Sequence, residues 1–200
     1  SDVYKRQAFT LPIHKLPSAR GQGDPVSSSI NSQSGSTFAG VVAGTEEDYC
    51  VLTANNGYGF IAKIEELQTK NKSGKTALNT KGAIPLGPEK LTSIEDSYIA
   101  AITEEGKMLL IEANDLPVLA KGRGNKIINI DKKKFEAKEN RLIFLKTLNK
   151  GDNLKIYSGK QSYMIKSKDL ENFVGSRGRK GNFLPKGYRR VDKLEVISEE

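Results

Sequence analysis

Cysteine, histidine and tryptophan are almost missing from this chain: Cys50 and His14 each stand alone, and tryptophan does not occur. A single cysteine closes no internal disulfide, and a single histidine leaves no His/Cys cluster from which to assemble a zinc site. No apolar run approaches the roughly 18 to 20 residues that span a bilayer. The opening residues carry no basic segment followed by an apolar one, so the expectation is a soluble, cytoplasmic chain without a cleaved leader. Apolar residues are scarce as well, 36% of 200, which is low for one large two-layer core. In their place stand 19 glycines, 7 prolines and a charged fraction of 28%. That composition describes many short elements joined by turns, with enough Val, Ile, Leu, Phe and Tyr to exclude wholesale disorder.

Acidic residues are depleted from the C-terminal part. From Pro117 to Lys193 there are 21 Lys/Arg against 7 Asp/Glu, a balance of +14, whereas the remainder of the chain carries −6, for a net +8. A basic field confined to one region favours a polyanion partner. Lys132, Lys133 and Lys134 read as residues that solubilise a loop. Arg123, Arg177, Arg179, Arg189 and Arg190 sit among glycines or beside an expected strand, where a guanidinium reaches phosphate while the backbone approaches closely.

A period near 50 residues organises the chain. Tyr49 to Leu67 (YCVLTANNGYGFIAKIEEL) reads as a strand, an Asn-Asn-Gly turn, a second strand at Tyr58 to Ile64, and a polar approach to a leucine. Tyr98 to Leu116 repeats it with Glu-Glu-Gly at the turn, and Leu154 to Leu170 with Ser-Gly-Lys. An incomplete first copy keeps only a strand around Ala8 to Ile13 before Leu16, and Ser1 to Gln7 do not extend it backward, so the chain reads as a fragment beginning inside a repeat. The marker leucines Leu16, Leu67, Leu116 and Leu170 lie 51, 49 and 54 residues apart, a spacing that suits a sheet of about four strands per unit.

Each marker leucine precedes a basic, glycine-bearing loop: residues 17–24 (PSARGQGD), 68–75 (QTKNKSGK), 117–126 (PVLAKGRGNK) and 171–181 (ENFVGSRGRKG). Outer strands are expected after them, weak at Thr76 to Asn79, strong at Lys126 to Ile130, with a closing strand at Arg190 to Ile197. Asp131 to Asn140 reads as a solvated insertion with a helical turn or two, and Val26 to Thr37 as a flexible Ser/Asn/Gly link. The fold class is therefore all-β. Its units are a truncated first blade over 1–25, a second over 26–75, a third over 76–126, and a last blade with closing strand over 127–197, all within one domain.

No catalytic constellation emerges. Ser73-Gly74-Lys75-Thr76 lacks the first glycine of a phosphate-binding loop, because Thr69 stands five positions before Gly74. Gly122-Arg123-Gly124 lies between segments of β character and opens no helix. His14 beside Lys15 reads as a surface residue, Cys50 as a packed thiol, and Tyr163 as strand packing or an edge contact. The acidic runs Glu46-Glu47-Asp48 and Glu104-Glu105 read as solvated turn residues.

Taken together, LPSARGQGDP at Leu16 to Pro25, Gly57-Tyr58-Gly59-Phe60, Asp115-Leu116-Pro117, KGRGNKIINI at Lys121 to Ile130 and GSRGRKG at Gly175 to Gly181 closely resemble one family. It is the C-terminal domain of the gyrase A and ParC family of bacterial type II DNA topoisomerases. The resemblance runs over nearly the whole chain from about Ala8. The glutamine-and-arginine-rich box of gyrase has only degenerate counterparts at Lys121 to Lys126 and Ser176 to Gly181, which favours the topoisomerase IV members.

The resemblance implies a partial β-pinwheel of about three and a half blades, a propeller-like arrangement of small antiparallel sheets whose basic rim binds and bends duplex DNA without reading its sequence. It also implies that the catalytic tyrosine, together with ATP and Mg²⁺, acts elsewhere in the holoenzyme, so that this chain holds no cofactor and no catalytic residue. The implied partners are duplex DNA, the rest of a dimeric A subunit, and the ATPase B subunit, ParE, in an A2B2 assembly of the bacterial cytoplasm and nucleoid. Lys121, Arg123, Lys126, Arg177, Arg179 and Lys180 are the first candidates for phosphate contact, followed by Arg20, Lys72, Lys75, Arg189 and Arg190. The competing readings are a propeller-like protein-interaction scaffold, the equivalent domain of gyrase A, and an RNA-binding β-protein. The last would expose clustered aromatics on one sheet face, which no run of Phe and Tyr here supplies.

Overall fold

Three glycine-turned hairpins organise the described residues, 5–18 and 20–199 of a computed structural model. The strands are β1 (Lys5–Ala8), β2 (Tyr49–Thr53), β3 (Tyr58–Lys63), β4 (Lys75–Asn79), β5 (Glu89–Leu91), β6 (Ser97–Thr103) and β7 (Lys107–Glu112). They continue with β8 (Asn125–Lys126), β9 (Leu142–Asn149), β10 (Asn153–Ser158), β11 (Gln161–Ile165), β12 (Asn182–Phe183) and β13 (Lys193–Ile197). The hairpins β2–β3, β6–β7 and β10–β11 fall where the repeat placed them, each antiparallel and in register.

The chain then does the same thing three times. A helical turn carries it to the marker leucine: α1 (Ile64–Leu67), the 3-10 turn Ala113–Asp115 before Leu116, and, following the short α2 (Lys132–Glu136), α3 (Ser167–Leu170). Leu116 and Leu170 are buried, Leu67 is half-buried and Leu16 is exposed. The basic loop next delivers a strand to the preceding unit, β4 onto β1, β8 onto β3 and β12 onto β7. A return strand then pairs with the first strand of the unit's own hairpin, β5 on β2, β9 on β6 and β13 on β10. The sheets that result are β5-β2-β3-β8, β12-β7-β6-β9, β11-β10-β13 and β1-β4; β4 runs across 75/76, and β9 and β12 pair with β6 and β7 across 126/127.

Three apolar clusters lie between successive sheets. Val51 and Ile61 meet Ile99, Ala101, Leu109 and Ile111, while Tyr98, Ala100, Ile102, Met108 and Leu110 face Leu154, Ile156 and Ile165. Cys50, Phe60 and Ala62 pack on Leu78 and Ala83. All of β6 is buried because it serves a cluster on each face. Its sequence therefore reads as a continuous apolar run without alternation.

Several expectations are corrected. The strand expected at Lys126 to Ile130 shrinks to two residues, because Ile127 and Ile128 are adjacent in sequence yet both enter the same core cluster, which alternating strand geometry forbids. The strand expected near Ala8 to Ile13 lies earlier, at β1, since Pro12 starts a 3-10 turn at Ile13–Lys15. β1 thus takes in Lys5 to Gln7, which the repeat had excluded; Ser1 to Tyr4, and the Glu200 end of the acidic terminus, lie outside the described residues. The link after Val26 is anchored: Ile30 is buried, and the Asn31 amide donates to the Lys72 carbonyl at 2.7 Å. Within the expected insertion, α2 forms one capped turn, but Phe135 packs against two core clusters instead of facing solvent.

Candidate nucleic-acid interface

Each of the last three basic loops ends on a glycine with positive φ at the start of the exchanged strand: Gly74 at +78°, Gly124 at +75° and Gly181 at +74°. A side chain at Gly124 would fall on the Gly59 carbonyl, and one at Gly181 on the Met108 carbonyl. Both contacts are with the sheet that receives the strand, so only glycine permits the crossing. Two residues earlier in each loop, a carbonyl accepts an amide N–H from the segment that follows the previous basic loop. Lys72 accepts from Asn31 at 2.7 Å, Gly122 from Asn79 at 2.8 Å and Arg179 from Asn129 at 2.8 Å. Each donor follows a buried aliphatic residue, Ile30, Leu78 or Ile128. The loops are therefore anchored at equivalent points, and between those points Ser73 and Lys180 are exposed while Arg123 is half-buried.

The first-rank residues divide by what they touch. Lys121, Arg179 and Lys180 lie exposed on the loop surfaces. Arg177 donates from Nε to the Asp115 carbonyl at 3.1 Å and from Nη1 to the Lys126 carbonyl at 2.9 Å. With the Gly178 amide donating to Ile127 at 2.8 Å, it locks the fourth loop onto the third. Lys126, Arg177, Arg179 and Lys180 are thereby brought together across two units. Arg123 lies over the Tyr58 ring at 3.7 Å, and Lys126 approaches the same ring at 5.8 Å while donating to Asn129 Oδ1 at 3.1 Å.

In the second rank, Arg20 and Lys72 are exposed on the first two loops, and Lys75 is half-buried opposite Ala8. Arg189 and Arg190 are both exposed, and Arg189 also lies over Phe183 at 4.3 Å and donates from Nε to the Leu184 carbonyl at 3.1 Å. The second loop is tied to residues 8–10 and 31, through Thr69, Lys72 and Gly74. Sequence reasoning missed Tyr58, Phe183 and Lys107, the last lying 4.8 Å over the Phe183 ring. Their signal is a cross-strand register, visible only once the strand exchange is known.

Electrostatics separates these loops from the rest of the surface. Lys63 pairs with Glu47 and Glu65, Lys90 with Asp48, Lys134 with Glu105, Arg141 with Glu104, Lys146 with Glu89 and Lys150 with Glu112. The carboxylates beside Lys63, Lys134 and Lys150 hold those ammonium groups above the usual lysine range. Among the described residues, no ion pair engages any of the eleven loop candidates. The −6 part of the chain thus supplies carboxylates both to its own Lys63 and Lys90 and to Lys134, Arg141, Lys146 and Lys150 of the basic part, while the loop cations remain available to an external anion.

The family described as the DNA gyrase C-terminal domain, a β-propeller, matches residues 48–94 and 97–136. The chain is 41% identical over 191 residues to the A subunit of DNA topoisomerase 4 from Pseudomonas aeruginosa and 38% identical over 192 residues to that of Haemophilus influenzae. These alignments take in 95% and 96% of the chain but only 25% and 26% of those relatives, so the chain spans about a quarter of their length. The solved Escherichia coli ParC C-terminal domain superposes with a TM-score of 0.84 at 31% identity, covering 96% of this chain and 78% of that one. A DNA gyrase A C-terminal domain shares the fold at a TM-score of 0.59 and 13% identity, over 78% of this chain and 51% of that one. The all-β, propeller-like pinwheel expected from the resemblance is the observed fold, and the chain belongs to the family of C-terminal domains of the topoisomerase IV A subunit, ParC.

Proposed function

We propose that this chain is a DNA-presenting domain that binds and bends duplex DNA without reading its sequence, by phosphate contacts along consecutive basic loops. The observation that carries the reading is the set of equivalently anchored loops whose cations form no ion pair among the described residues, on a molecule where many cations outside them are ion-paired. Such a surface displaces condensed counterions from a duplex, and its contacts position the polymer without specifying bases. Lys121, Arg179 and Lys180 contact phosphate directly, Lys126 and Arg123 contribute from the Tyr58 junction, and Arg177 holds the two loops at a fixed spacing.

In the holoenzyme the domain would present the transported segment to the strand-cleaving core of a dimeric A subunit. The B subunit, ParE, would supply ATP hydrolysis with Mg²⁺ for decatenation and supercoil relaxation in the bacterial nucleoid. The test is competition at one salt concentration among a linear duplex, its single strand and an RNA duplex of equal length. Preference for the DNA duplex irrespective of its sequence supports the reading. Equal binding of all three, or no binding by a folded sample, contradicts it.

A further inference from the structure

The strand exchange creates the same side-chain pairing at two junctions, with the partners reversed. Where β8 joins β3, Lys126 stands opposite Tyr58; where β12 joins β7, Phe183 stands opposite Lys107. Each ring also carries a guanidinium, Arg123 over Tyr58 at 3.7 Å and Arg189 over Phe183 at 4.3 Å. Each junction is therefore one aromatic ring bearing one ammonium and one guanidinium, where a two-residue strand that immediately follows a positive-φ loop glycine pairs with a longer one.

Two further observations say that the rings serve the cations. Phe183 is 48% exposed, so burial of the ring is not what the position supplies. Arg123 Nε is buried without a hydrogen-bond partner, the only such side-chain atom among the described residues. A charged donor left unmet in the folded chain is unfavourable, and stacking holds the guanidinium there in spite of it. A stacked guanidinium keeps its terminal N–H groups free for an anion, while the ring removes most of its rotamer freedom.

We propose that Tyr58 and Phe183 are positioning residues, each orienting an Arg/Lys pair as a preformed phosphate-contact station, with Lys107 an additional contact residue. The inference rests on the duplex-binding reading above. Affinity of the whole chain for a linear duplex is measured across a salt series for Tyr58→Leu, Phe183→Leu and the double variant, with Tyr58→Phe and Phe183→Tyr as ring-preserving controls. Each ring loss is expected to weaken binding about two- to five-fold, as for loss of a cation–π contact, and to reduce the salt slope by up to about one. The ring-preserving variants are expected to match the parent.

Arg123→Met supplies an independent arm, because it keeps an unbranched chain over the ring and removes the unmet donor. The melting temperature is expected to hold or rise while duplex affinity falls. Ring variants that melt at a lower temperature yet keep the parental affinity and slope overturn the proposal while the duplex reading stands. So does an Arg123→Met variant that loses stability and keeps affinity. A folded parent that binds no duplex removes the reading and the proposal together.

Discussion

Arg177 and Arg179 stand two positions apart and serve different ends. Arg177 commits Nε and Nη1 to the carbonyls of Asp115 and Lys126, so Arg177→Ala is expected to destabilise the chain by about 1 to 2 kcal/mol, read as a lowered melting temperature. Arg179 is tied to Asn129 through its carbonyl alone, so Arg179→Ala is expected to leave melting unchanged and to reduce the salt slope of duplex binding by about one. The reverse assignment of effects would contradict the division. Cys50 is fully buried, and burial pushes its thiol up to about 12. A thiol reagent at neutral pH is expected to label it only as denaturant opens the sheet, in step with loss of β signal. Labelling at a free-thiol rate in native buffer would show the strand to be open.

At the scale of elements, the glycine at each strand exchange controls the topology. Gly124→Ala meets both a φ of +75° and the Gly59 carbonyl, whereas Gly23→Ala meets a φ of +75° in open space. The second is expected to cost about 1 kcal/mol and the first clearly more, compared by denaturant unfolding. The α2 turn has its own check. Asp131 accepts the Lys134 amide, and that backbone bond, ahead of the nearby lysine charges, holds its carboxyl below the usual range. A depressed folded value means the cap contributes fully above the ordinary carboxylate pKa and fades as pH falls through the lower folded value. Asp131→Ala is expected to lower the melting temperature at neutral pH, and Asp131→Asn to retain the cap without its acid sensitivity, both read from thermal melts at neutral and acid pH.

The hairpins were legible in the sequence because each carries a glycine turn between apolar runs, and the loops because glycine and cations recur at one period. The strand β9 was not legible. Its buried residues Leu142, Leu145 and Leu148 fall every third position, a spacing without strand alternation, although β9 covers the whole of β6. Nor could the loop residues be divided into clasps and free cations, since Arg177 and Arg179 look alike until the partners of the loop are placed.

For the whole molecule, the location of the cations, and not their total, is what makes a duplex-binding surface. The most direct test compares two triple-alanine variants that lose the same three positive charges: one at the loop positions Lys121, Arg179 and Lys180, the other at the ion-paired positions Lys63, Lys90 and Lys150. Their duplex affinities are followed from low to physiological salt beside the parent chain. The loop variant is expected to flatten the slope of log affinity against log salt by up to about 2.7, three contacts at about 0.9 each, while the paired variant stays near the parental slope. Equal losses in the two variants would make binding a response to net charge alone, and the basic loops would not be the interface.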